Sequence, residues 1–405
     1  MSGLKLPRAS HTVALASLVA FGTQVTFALL MLRLFTPQEV GEFSVLSQIG
    51  FFWMTLALAQ APLSLLANAH TPANQALRQA WRSSVRRGLA LLPVAALAVW
   101  LSDLALWPAL LWVLLLAFFQ MGNLLSQSHS LRVGSAWQQA AVRVLPPLTA
   151  ALLALAAAWL WHMASALVIA AILGYAVGAA WLVPVFWPSA EAHQPSASQQ
   201  ADGASPNQSD TRSATLRMAH TLADALLATA LVVVWQRLYS AQETGWMTAL
   251  LRVLGFVPAV VHMAWAQVVL AQTKSHKHQT APLWLGLTAW GAVLGLGGVC
   301  ALALNWQWLD TRWQGVWPYI VPLVLWQGSA CLSAAFSHRP FQAHAAARYS
   351  WACMGLALLQ ALVLLLPLVL SARMDAAVHM MVFAAVSSLG LVGLTVWMAQ
   401  LRSSN

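Results

Sequence analysis

Residues 33–46 read RLFTPQEVGEFSVL, and residues 237–250 read RLYSAQETGWMTAL. Six of the fourteen positions are identical, at an offset of 204 residues, about half the chain. Phe35 against Tyr239 and Thr36 against Ser240 are conservative changes. Each copy ends one apolar run and opens the next. Thr36-Pro37-Gln38-Glu39 and Ser240-Ala241-Gln242-Glu243 both fit a capping box, in which hydroxyl and carboxylate satisfy free N–H groups at a helix start. Pro37 suits the first helical position. Gly41 and Gly245 follow in the first turn, where a missing side chain permits close helix approach. The chain therefore carries an internal repeat centred on a helix–turn–helix.

Working outward, the rest is strongly apolar. Of 405 residues, 60% are hydrophobic and 7% charged, whereas a soluble domain is about a quarter charged. The mean hydropathy is +0.70. The bilayer is the natural solvent for such a chain. The formal net charge of +10 has no soluble basic domain to display it, so nucleic acid is not an expected partner. Lys and Arg at helix ends facing anionic headgroups account for it better.

Apolar runs long enough to span lie at 12–34, 43–66, 88–106, 108–126, 145–161 and 165–187, then at 215–238, 246–270, 282–304, 316–337, 352–371 and 376–399. The first follows a short start with Lys5 and Arg8 and is long enough to remain as a helix rather than a cleaved signal. With the N-terminus in the cytoplasm, fifteen of the twenty Lys and Arg fall on inner loops and tails. Arg33, Arg237, Arg312 and Arg373 fall outside, and Arg252 sits within a span. That bias supports both the count of twelve and an orientation with both termini cytoplasmic. Residues 188–214, PSAEAHQPSASQQADGASPNQSDTRSA, cannot bury a core and read as a flexible cytoplasmic linker. The expected architecture is an all-α polytopic membrane protein. A six-helix bundle over 1–187 and another over 215–405 form a parallel pseudo-repeat, related by an axis along the membrane normal.

Smaller features fit the same frame. Arg78, Arg82 and Arg86 share one helical face, which suits an amphipathic stretch on the inner membrane surface or simple topological anchoring. Gly174-xxx-Gly178 and Gly291-xxx-Gly295 suit tight helix contacts. Cys300, Cys331 and Cys353 lie in apolar runs without metal spacing, and His276-Lys277-His278 reads as a basic loop. No metal or cofactor is expected. No catalytic motif and no large outer domain stand out, so a transporter is expected rather than an enzyme.

Ionisable groups inside spans are costly and therefore informative. Asp224 lies deep in the seventh span with His220 one turn before it, and Arg252 and His262 lie in the eighth. The functional reading is a wet cavity in which Arg252 and His262 bind an anionic substrate while Asp224 and His220 carry a coupling proton or cation. The alternatives are snorkelling to the outer surface for Arg252, a place near the inner headgroups for His220, an interhelical hydrogen bond for His262 and a structural pair for Asp224. Glu39 and Glu243 read as caps, or else as members of an outer gate with Arg33, Arg237, Gly41 and Gly245.

The segment from His11 to Leu66 resembles the start of bacterial Wzx-type polysaccharide flippases, in the multidrug/oligosaccharidyl-lipid/polysaccharide exporter superfamily. The resemblance rests on Arg33-Leu34-Phe35-Thr36-Pro37-Gln38-Glu39-Val40-Gly41-Glu42-Phe43, a helix end followed by a Pro-x-Glu-x-Gly turn. The position before Gly is more usually aromatic in that family; here it is Val40. The resemblance implies two bundles around a central cavity. It also implies an oligosaccharide on polyprenyl pyrophosphate as substrate, passed between leaflets by alternating access beside glycan polymerase and assembly proteins. It carries an O-antigen or lipopolysaccharide role in the bacterial inner membrane with it. A cation-coupled drug exporter or antiporter on the same fold, and a membrane glycan polymerase or ligase, remain alternatives.

Overall fold

The computed structural model describes residues 8–59, 61–67, 71–160, 165–186, 208–262, 281–370 and 374–401. Every regular element among them is helical. In chain order these are α1 (Arg8–Leu34), α2 (Pro37–Leu58), α3 (Ala61–Ala67), α4 (Ala73–Ala90), α5 (Leu92–Leu101) and α6 (Leu106–Val133). Then come α7 (Ala136–Leu160), α8 (Ala166–Ala180), α9 (Val183–Phe186), α10 (Gln208–Leu238), α11 (Ala241–Leu254) and α12 (Phe256–Val260). The last are α13 (Ala281–Asn305), a 3-10 turn (Thr311–Val316), α14 (Trp317–Phe336), α15 (Arg339–Gln342), α16 (Ala346–Leu370) and α17 (Ala376–Gln400).

Eight of the described helices are long and apolar enough to cross a membrane, or nine if α4 and α5 form one bent span. The chain is thus a multi-pass membrane protein. Several expected spans appear as broken or shorter elements. The third is the clearest. Its apolar run begins at residue 88, after a stretch at 73–87 that reads as lying on the surface. In the structure α4 begins at Ala73 and runs into α5 through a 50° bend. The row of Leu77, Ala80, Ser84 and Gly88 explains this: at helical spacing these small or apolar residues all bury. Of the three arginines expected on one face, Arg82 and Arg86 are exposed, while Arg78 turns in to the carbonyl of Val185 at 2.7 and 3.0 Å.

Arginine recurs in that role. The last carbonyls of a helix have no partner within it. Arg87 donates to Ala57 and Leu58 at the end of α2 (2.8 and 3.0 Å). Arg132 donates to Leu65 at the end of α3 (3.1 Å) and to Thr71 beyond it. Arg339 donates to Ala399 in the last turn of α17 (2.6 Å). Each guanidinium also meets the negative end of a helix dipole.

The chain clusters into two compact units. One comprises residues up to Gln24, Ile49–Trp100 and Ala105–Met218; the other comprises Val25–Gln48, Leu101–Leu104 and the chain from Ala219 onward. In the first unit α8 packs on α6 and α7. The expected small-residue contact is present there: Gly174 lies against the carbonyl of Pro146 and the methyl of Ala150. In the second unit α14 packs on α13 and α17. Here the expected pair Gly291 and Gly295 faces open space, and Gly286 and Gly297 take the contacts, against Leu332 and Val324. The spacing rule identified a small-residue helix but not the face its neighbour chose. Cys300 and Cys331 are buried free thiols, and no cluster of three or more His, Cys, Asp or Glu able to hold a metal occurs among the described residues. Residues 276–278 lie outside the described residues, as does most of the expected linker. Its last part, from Gln208, is already helical in α10.

Candidate functional site

The two repeat turns meet inside the second unit. A Cβ on Gly41 would fall on the carbonyl of Ala241, and a Cβ on Gly245 would fall on the carbonyl of Pro37. Residues 37 and 241 are equivalent in the repeat, as are 41 and 245. The contact therefore maps onto itself, which is the signature of a two-fold relation. Ser44 and Thr248, also equivalent, place their hydroxyls 2.9 Å apart. Each hydroxyl also lies within hydrogen-bond distance of its own helix, at Val40 and Thr244, again an equivalent pair. Two helix starts can approach this closely only because both glycines lack a side chain.

The caps that hold these starts differ in one respect. In the first copy the box is complete: Glu39 N donates to Thr36 Oγ1 (3.2 Å), and Thr36 N donates to the Glu39 carboxylate (2.8 Å). In the second copy Glu243 N donates to Ser240 Oγ (3.1 Å), but the Glu243 carboxylate accepts from the Tyr319 hydroxyl on α14 instead. Of the two readings of these glutamates, cap and gate, the hydrogen bonds here are those of caps. Glu39 is occupied by its own cap, Arg33 is exposed, and Arg237 pairs with Asp103. In the loop leading to the 3-10 turn, the Arg312 side chain and N–H hold the exposed Asp310 carboxyl down at about 2.

Arg252 lies one turn beyond Thr248. It donates to Ser44 Oγ (3.0 Å), approaches Met31 Sδ (3.6 Å) and lies over the Phe43 ring at 4.7 Å. It thus reaches from the second repeat copy into the first. Its counterpart Gln48 reaches the other way, to Thr229 Oγ1 at 3.4 Å. His220 and Asp224 form a separate cluster on α10, with Nε2 3.1 Å from the carboxylate and the imidazole edge-on to Tyr349 at 5.7 Å. Asp224 keeps 59% of its side-chain surface exposed, so the protein does not enclose it. His262 lies elsewhere, exposed, with Nδ1 3.3 Å from Ser337 Oγ. Arg252 and His262, read together as substrate ligands, therefore contact different parts of the unit.

Sequence reasoning missed a buried group beside the second repeat turn. His379 on α17 is fully buried. Its Nε2 lies 3.0 Å from the carbonyl of Val363 and so carries the proton, which makes Nδ1 the acceptor of the Tyr239 hydroxyl at 2.9 Å. Trp235 stacks on the imidazole with centroids 5.0 Å apart. The available signal was an ionisable residue inside an apolar run, the same rule that selected Asp224.

No protein-family model and no curated protein sequence matches the chain. Solved structures do. Lipid II flippase MurJ in an inward closed conformation aligns with a TM-score of 0.61 at 9% identity, over 94% of this chain and 86% of that one. The MATE multidrug transporter DinF-BH aligns with a TM-score of 0.52 at 12% identity, over 98% and 96%. Both are transporters rather than enzymes. The chain shares the fold of these two transporters.

Proposed function

We propose that this protein is a flippase that moves an oligosaccharide carried on polyprenyl pyrophosphate from the inner to the outer leaflet of a bacterial cytoplasmic membrane. The observation that carries the reading is the reciprocal seating of the two repeat turns on a transporter fold. In this reading the two turns close the outer end of the space between the repeat halves and part when the halves rock. The same fold in a lipid II flippase supports a lipid-linked substrate. The charge bias of the loops supports twelve spans in two six-helix halves, with both termini cytoplasmic and the repeat turns outside.

In this mechanism Arg252 exchanges its hydroxyl partner for the anionic headgroup when the halves move, and His262 contributes a second polar contact. The His220–Asp224 pair takes up a proton or cation to bias the cycle. Asp224→Asn is expected to lower ion-driven transport about tenfold while leaving the amount of folded protein unchanged, as measured in proteoliposomes with and without an ion gradient. Equal transport by the variant and the parent would remove Asp224 from the coupling role.

The test of the function is to delete the gene and determine which leaflet holds the lipid-linked glycan. Accumulation on the inner leaflet, rescued by the intact gene, is the expected result. Accumulation on the outer leaflet would indicate a polymerase or ligase. The likeness to DinF-BH favours a second reading, a cation-coupled exporter of small amphiphiles. Under that reading deletion leaves the glycan unchanged and sensitises cells to such compounds.

A further inference from the structure

A groove of about 410 Å³ runs between α16 and α17, lined by Arg348, Ala352 and Leu356 on one side and Gly390, Gly393 and Trp397 on the other. On α16 these residues recur every fourth position, so they share one face. From Arg348 to Leu356 the groove covers eight residues, about 12 Å at the helical rise. Below it the Gln360 amide donates to Ser387 Oγ at 2.8 Å, which ties the two helices together and closes that end. Among the described residues no heavy atom lies within 4 Å of where a Cβ on Gly393 would stand, so the middle of the groove is open. The surrounding faces carry Trp351, Leu358, Leu389 and Val396, all more than half exposed. On a membrane-spanning helix pair that surface meets lipid.

Among the described residues, two arginines at this end of the unit are used differently. Arg339 is committed to the last turn of α17 and to the Phe336 ring. Arg348 is exposed and makes no hydrogen bond or ion pair among the described residues. It stands at the open end of an apolar trough about as deep as one leaflet's hydrocarbon, half of roughly 30 Å. A cation at the rim, an apolar channel below and a closed floor complement one ligand chemistry, a phosphate joined to a hydrocarbon chain.

We propose that this groove holds one anionic phospholipid of the leaflet on the Arg348 side, with its phosphate on the guanidinium and an acyl chain over Gly393. The site rests only on the membrane placement of α16 and α17, so it stands or falls separately from the flippase reading.

The test uses the full chain in mild detergent, titrated with phosphatidylglycerol, phosphatidylethanolamine or a polyprenyl phosphate and read by native mass spectrometry. The parent is expected to bind phosphatidylglycerol in preference to phosphatidylethanolamine. Arg348→Gln should weaken that binding about fivefold, and Gly393→Leu, which fills open space, should weaken it at least as much with unchanged melting. Arg82→Gln, an exposed arginine on α4, should bind like the parent. Retention of full affinity by both groove variants would overturn the site, as would equal binding of the two phospholipids. Displacement of phosphatidylglycerol by an equal amount of polyprenyl phosphate would also overturn it, by giving the groove to a substrate tail.

Discussion

Gly41→Ala and Gly245→Ala are each expected to destabilise the protein by about 3 kcal/mol and to abolish most transport. The added carbon would fall on the carbonyl of Ala241 in one case and of Pro37 in the other. Overpacking usually costs about 1–3 kcal/mol. The upper end applies here because a backbone carbonyl cannot change rotamer, so a helix start must shift. The two changes strain one contact, so the double variant should cost less than the sum of the singles. Gly291→Ala, which meets open space, should match the parent in melting and transport. A second readout follows from the 2.9 Å between the Ser44 and Thr248 hydroxyls. Cysteines at both positions should form a disulfide under oxidation, and transport should stop until reductant is added. Full activity of the cross-linked protein would mean that the two turns stay together through the cycle.

Arg252→Ala is expected to have the next largest effect. It removes a hydrogen bond from a charged donor to Ser44 and the contact with the Phe43 ring. Such a bond is worth about 1.5–3 kcal/mol and a partly exposed cation–π contact about 0.5–1 kcal/mol. A loss of about 2–3 kcal/mol in detergent stability should result. Ser44→Ala separates the roles. If Arg252 acts only by bridging the repeat copies, the two variants will lower transport alike. If it also receives an anionic headgroup, Arg252→Ala will lower transport about tenfold further, and Arg252→Lys will recover part of the difference. Transport at the parent's level by all three variants would leave Arg252 no part in the cycle.

The sequence made some of this legible and hid the rest for identifiable reasons. Long apolar runs and a repeated turn are local signals, so the helical membrane class, the start of α11 and the glycines at 41 and 245 could be read directly. The complete cap at Thr36–Glu39 is local as well, closing over three residues. Glu243 has the same neighbours in sequence, yet its carboxylate goes to Tyr319, 76 residues away, and no short pattern carries that choice. The same limit explains Gly291 and Gly295. Composition marks α13 as a helix with a small-residue face, but whether that face meets α14 depends on rotation about the helix axis. The buried face of α4 was hard to read because its charge outweighed its burial pattern. Four arginines in fifteen residues concealed the stripe of Leu77, Ala80, Ser84 and Gly88.

The arginines that close helix ends bear on how the chain is made. During insertion a positive residue acts by resisting passage across the membrane, and lysine serves as well as arginine. In the folded protein Arg78, Arg87, Arg132 and Arg339 each donate to main-chain carbonyls, and two of them do so through two nitrogens to two different carbonyls. A single ammonium on a flexible stem is a poor substitute for that fork. The sequence holds only three lysines, Lys5, Lys274 and Lys277, against seventeen arginines. In the proposed topology one residue type would both orient the nascent chain and fasten the ends of its helices. Replacing these four arginines by lysine would leave the translocation signal intact and weaken the finished protein, so the two events can be separated by chemistry even though they share the same codons.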